Sequence, residues 1–182
     1  MGFFRKISIT LLIASSLILG CVSTACNANG SSITIEQSDE AAIYSAVIRQ
    51  IYSAHDTFND TTALYIIRYT DDTAGDPTAN PSEPILIPET VQSEIIAALD
   101  DLPTEIIWVE SFDEVEKTSY GTVINGGVII ILGNINLQGD NSVQIPCSYY
   151  MAGCGGGGRT YVLGRVEGIW HITGTTGTMW IS

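Results

Sequence analysis

Apolar residues recur at two different periods along this chain, and the change of period divides it. Ile43, Tyr44, Val47, Ile48 and Ile51 fall at helical spacing and form one stripe. Ser38 stands ahead of them as an N-cap. Asp39 and Glu40 follow in the first turn, where the helix dipole favours negative charge, so the spacing predicts a helix over 39–52. A second helix is predicted from Pro88, which opens a helix without losing a needed N–H, to Pro103, which ends it. Val91, Ile95, Ala98, Leu99 and Leu102 share its apolar face. Between the two helices, Leu64-Tyr65-Ile66-Ile67-Arg68-Tyr69 is β-branched and aromatic and reads as a strand. Residues 71–84 (DDTAGDPTANPSEP) are rich in breakers and read as a loop, and Ile106 to Val109 is a second short strand.

From Thr122 onward the pattern is strand-like throughout. The segments are Val123 to Asn134, Val143 to Tyr150, Arg159 to Val166 and Ile169 to Ile181. Asn125-Gly126, Gln138-Gly139-Asp140-Asn141, the glycine run and Glu167-Gly168 punctuate them, the last as a tight-turn signal between Val166 and Ile169. Helices first and a glycine-punctuated meander afterwards predict an α+β fold, with two N-terminal helices packed on a C-terminal antiparallel β-meander sheet. Trp108, Trp170 and Trp180 are its expected core anchors. No internal repeat is evident.

The first twenty residues follow other rules. Arg5 and Lys6 precede an apolar stretch from Ile7 to Leu19, broken only by Ser8, Thr10, Ser15 and Ser16, and the parts are those of a secretory signal. The stretch closes on Leu17-Ile18-Leu19-Gly20-Cys21, which resembles the lipobox of bacterial lipoproteins. That resemblance implies cleavage after Gly20, diacylglyceryl attachment to the Cys21 sulfur and acylation of the new amino terminus. It puts the chain outside the cytoplasm, held to a bacterial membrane by lipid alone. The apolar stretch is itself shorter than the roughly 20 residues a spanning helix needs. Residues 22–32 (VSTACNANGSS) are small and polar, which suits a tether. The expected organisation is therefore a signal peptide over 1–20, a lipidated flexible tether over 21–32 and one α+β domain over 33–182. Met1-Gly2 does not open a myristoylation motif, because Lys6 stands where Ser or Thr is required.

Near the carboxyl terminus, residues 158–172 (GRTYVLGRVEGIWHI) are similar to the closing hairpin of NTF2-like α+β folds. The resemblance implies an NTF2-like or cystatin-like cone. That family has no common catalytic residue, so no activity comes with it.

Charge narrows the partners. The whole chain has a net charge of −13; without Arg5 and Lys6, 20 acids face 5 bases, or −15. Such a field disfavours nucleic acid and anionic headgroups, which need a basic footprint. It suits solubility and cationic partners. With 45% hydrophobic and only 15% charged residues, the whole chain has the balance of a globular protein.

Candidate chemistry is sparse. Cys147 and Cys154 bracket an expected turn in a disulfide-permissive compartment and are candidates for a local bridge, while Cys26 belongs to the tether. No CxxC occurs and the two histidines are far apart, so no metal site or cofactor is expected. The run from Gly153 to Thr160 has phosphate-loop spacing, with Arg159 in the lysine position. A strand rather than a helix follows it, so it reads as a flexible hairpin loop. Asp71, Asp72 and Asp76 lack the spacing of a calcium loop, and Asp113, Glu114 and Glu116 read as an exposed acidic turn. Tyr149, Tyr150 and Tyr161 surround the glycine run and are candidates to line a ligand cleft, against the plainer account that they pack core and edge. The resulting expectation is a membrane-anchored, non-catalytic envelope domain that binds a small molecule or a protein. The alternative is a small extracytoplasmic hydrolase or isomerase using His55 or His171 with a carboxylate.

Overall fold

The computed structural model describes residues 35–54 and 60–182. The leader, the whole tether with Cys21 and Cys26, and His55 lie outside the described residues. Among the described residues, no helix is long and apolar enough to cross a membrane.

The first helix, α1, spans Gln37–Ala54, two residues longer at each end than the expected 39–52. Its first bond runs from Glu40 N to Glu36 O at 3.0 Å, so Ser38 sits inside the opening turn rather than capping it. The stripe is buried as expected: Ile43, Tyr44, Val47, Ile48 and Ile51 all face inward. The second helix, α2, spans Glu89–Ala98 with Pro88 in the cap position, and its first bond runs from Gln92 N to Pro88 O. It stops short of Pro103, because Leu99 N turns back to Ile96 O and seals the last turn while the Leu99 side chain stays buried.

The strands are β1 (Ala63–Ile67), β2 (Glu105–Val109), β3 (Val128–Leu132), β4 (Asn136–Leu137), β5 (Ser142–Ala152), β6 (Gly155–Val166) and β7 (Ile169–Ile181). They form one sheet in the order β2-β1-β3-β5-β6-β7, with β4 beside β5. The architecture is α+β with helices early and most of the sheet late, as the pattern predicts. The sheet, however, is mixed and not wholly antiparallel: β1 runs parallel to both β2 and β3. The cause is connectivity. The segment containing α2 returns the chain to the starting end of β1, and residues 110–127 do the same before β3, as parallel pairing requires. The antiparallel meander is confined to β5, β6 and β7.

Each face of the parallel part is covered. Leu64, Ile66, Val128, Ile130 and Leu132 join the two helices in the main core, together with Val143, Ile145, Tyr161, Leu163 and Trp170. Ile67, Val109 and Ile129 point the other way and meet Val115, Val123 and Phe112 from residues 110–127. Burying one such aliphatic side chain contributes about 1.5–3 kcal/mol, so this double coverage carries much of the folding energy.

The glycine run is a second departure. Gly155–Gly158 belongs to β6, and the hairpin turn is Gly153-Cys154. A Cβ at Gly158 would collide with the Ala74 carbonyl and the Trp180 indole. The Trp180 Nε1 donates to Ala74 O at 2.9 Å, locking residues 70–80 onto the sheet. Close approach, not flexibility, is what these glycines provide. At the far end, Val166 pairs with Ile169 across Glu167-Gly168, whose φ values of 52° and 83° suit the predicted tight turn.

Candidate functional site

The residues that build a pocket come from four segments that meet where the parallel strands end. β1 and β3 are adjacent and parallel; from the end of β1 the chain leaves toward β2 on one side, while β3 leads to β5 on the other. In sheets with parallel strands, such a divergence leaves a crevice at the carboxyl ends. Here Asp71 N donates to Leu132 O at 2.9 Å and holds the two ends together. Residues 85–87 run back alongside 68–70, with Thr70 N bonded to Ile85 O and Ile87 N to Arg68 O. The opening turn of α1 covers the remaining side.

The result is a cavity of about 180 Å³ lined by Ile35, Glu40, Tyr44, Thr70, Ile85, Ile87, Asn134 and Ile135. Glu40 and Tyr44 are one helical turn apart and therefore share a flank of α1. The Tyr44 hydroxyl donates to Gly133 O at 3.1 Å. Thr70 Oγ1 donates to Asn134 Oδ1 at 2.7 Å and accepts from Ile85 N at 2.9 Å. Behind them the Asp72 carboxylate accepts from Asn134 N, Asn134 Nδ2 and Ser82 Oγ, while Asn134 Nδ2 also reaches Ser82 Oγ. Burial pushes the Tyr44 phenol well above its ordinary range, and the negative charges of Glu40 and Asp72 add to this. Burial also raises the Glu40 carboxyl; no hydrogen bond or ion pair among the described residues engages that carboxylate.

A second concavity runs along the outer flank of α1 against the β6–β7 hairpin, over Trp170. Its sections, of about 230, 400 and 370 Å³, share Trp170 as a wall. Asp39, Arg165 and Arg49 are engaged within the protein, while Glu36 and Asp140 on its wall carry no ion pair among the described residues. Asp39 accepts from Trp170 Nε1 at 3.2 Å and from Arg165 at 3.0 Å, and Arg165 also lies over the indole ring. Arg49 pairs with Asp101 at 2.6 Å. These contacts tie α1 and α2 to each other and to the hairpin.

The residues singled out by the sequence do not converge. Cys147 and Cys154 are both free: Cys147 is buried within β5 and Cys154 is exposed at the hairpin turn. Five strand residues from Cys147 to Ala152 already span roughly 16 Å, far beyond the reach of a disulfide. Burial pushes the Cys147 thiol far up, so it is an inert core residue. The three tyrosines do not line one cleft. Tyr149 and Tyr150 alternate across β5, and only Tyr149 shares the helix-covered face with Tyr161. Tyr150 packs edge-on against Phe112 and donates to Gly121 O, while buried Tyr161 has its phenol pushed up to about 12 by desolvation. His171 is exposed and forms no hydrogen bond among the described residues, whereas Trp170 beside it is buried.

The acidic segments are ordered internally. Asp71 accepts from Thr73 N and Oγ1, and Asp76 from Thr78 N and Oγ1, which holds the Asp76 carboxyl below its ordinary value. No group of three or more His, Cys, Asp or Glu with metal-site geometry occurs among the described residues. Glu40 and Asn134, central to the cavity, carry no motif. The only sequence signal was placement: a carboxylate one turn before Tyr44, and an amide directly after an apolar strand. Comparison with known protein families, curated proteins and solved structures returned no match.

Proposed function

We propose that the chain is an envelope lipoprotein whose domain binds a small molecule without transforming it. The anchor reading rests on the leader and on Cys21 following Gly20. The binding reading rests on one observation: a concave, mostly apolar pocket at the carboxyl ends of β1 and β3, with a half-buried carboxylate that has no partner among the described residues. Ligand sites favour this combination of apolar walls and few convergent polar groups. The finer assignment to an NTF2-like or cystatin-like cone rests on residues 158–172 alone, and the pocket argument does not use it.

The two halves of the proposal are tested on one preparation. Fractionation of cells expressing the wild-type chain and Cys21→Ser should leave the former with membranes after a high-salt wash and release the latter. Intact mass of the wild type should equal residues 21–182 plus acyl chains. An uncut leader or an unmodified Cys21 sulfur overturns the anchor. The binding half fails if compact ligands perturb no residue of the pocket.

A further inference from the structure

The pocket has a chemical polarity that narrows its ligand. We propose that it takes a compact organic ammonium, held by Glu40, Tyr44 and Asn134 against the isoleucines. This rests on the reading of the pocket as a ligand site. Every side-chain donor in the lining is already committed. The Tyr44 proton goes to Gly133 O, the Thr70 proton to Asn134 Oδ1, and both Asn134 amide protons to Asp72 and Ser82. What remains to face a guest is lone pairs: the Glu40 carboxylate, the Tyr44 oxygen and Asn134 Oδ1.

Among the described residues no lysine, arginine or histidine lines the cavity, and Asp72 stands behind Asn134. A carboxylate or phosphate entering would find the Glu40 carboxylate and no free side-chain donor among the described residues. A protonated amine finds the reverse, and its charge would relieve the desolvation that raises the Glu40 carboxyl. Ile35, Ile85, Ile87 and Ile135 give the apolar body its contact. Size sets a further limit: about 180 Å³ compares with the roughly 150 Å³ cavity that admits a benzene-sized guest, so about six non-hydrogen atoms fit.

The test uses three probes with one body and different heads: isopentylamine, isopentanol and isovalerate. Each is titrated at pH 7.5 into the mature protein in nanodiscs, carrying labelled isoleucine methyls. The amine should shift the Ile35, Ile85 and Ile135 methyls saturably, about tenfold more tightly than the alcohol, since a charge-assisted bond exceeds a neutral one by about that factor. Isovalerate should leave them unmoved. In Glu40→Gln the amine should lose its advantage over the alcohol while the alcohol still binds. If the alcohol or the carboxylate binds these methyls as well as the amine does, the ammonium class is overturned and the pocket stands. If none of the three moves them, or the amine shifts only other methyls, both are overturned.

Discussion

The strands β2, β1 and β3 and the strands β5, β6 and β7 belong to one sheet but are stabilised in different ways. The parallel group is short and apolar, covered on one face by α1 and α2 and on the other by residues 110–127. The antiparallel group is longer, and its outer strand β7 is largely exposed threonine and glycine. One gains its stability from side chains packed on both faces. The other is packed on its helix-covered face by Val143, Ile145, Leu163 and Trp170, and also depends on a side chain being absent: Gly158 lets Ala74 and Trp180 close over the sheet. The pocket lies at the carboxyl end of the parallel group, whose strands stop together and diverge. The meander, joined by tight hairpins, leaves no such gap in its middle.

That contrast can be broken experimentally. The largest effect is expected from Gly158→Val, which forces a branched side chain into the Ala74 carbonyl and the Trp180 ring. It should cost about 4 kcal/mol or prevent folding, as read by urea denaturation. Ile130→Ala, in the middle of β3, should cost about 3 kcal/mol through the cavity it opens. Thr175→Ala on β7 should cost less than about 0.5 kcal/mol, because its side chain is exposed. Equal costs at the two positions would mean that the halves do not differ.

A smaller effect should appear in alkali. The Cys147 thiol and the Tyr44 and Tyr161 phenols are all raised in the fold, from ordinary values of 9.0, 10.0 and 10.0. Groups raised in this way contribute stability that is complete below the unfolded value and is lost as pH climbs toward the folded one. Urea midpoints should therefore be level from pH 7 to about pH 8.5, then fall steadily toward pH 11. Cys147→Ala should flatten the first part of that fall, near pH 9. A profile that rises with alkali would contradict the burial assigned to these groups.

The helices were legible in the sequence because Ile43, Val47 and Ile51, like Val91, Ile95 and Leu99, recur at one period whatever lies opposite. The hairpins were legible where turn chemistry is local, as at Glu167-Gly168. Strand direction was not: ALYII and VIIIL report burial on two faces but not which way a neighbour runs. Gly155–Gly158 misled for a related reason, since a glycine kept for close approach and one kept for freedom look alike in a sequence. The pocket was hidden because Glu40, Thr70 and Asn134 meet only through tertiary structure, whereas Cys147 and Cys154, close in sequence, are held apart by an extended strand.

On the proposed reading, the ligand site belongs to the ends of the parallel strands and not to the Trp170 groove. This placement is tested most directly by thermal melting of the wild type, Ile135→Trp, which fills the pocket, and Ala42→Trp, which fills the groove. Isopentylamine at ten times its Kd should stabilise the wild type by about 1.4 kcal/mol, a rise of about 3 °C. Ala42→Trp should keep this rise and Ile135→Trp should lose it. A rise that survives in Ile135→Trp and vanishes in Ala42→Trp would contradict that placement.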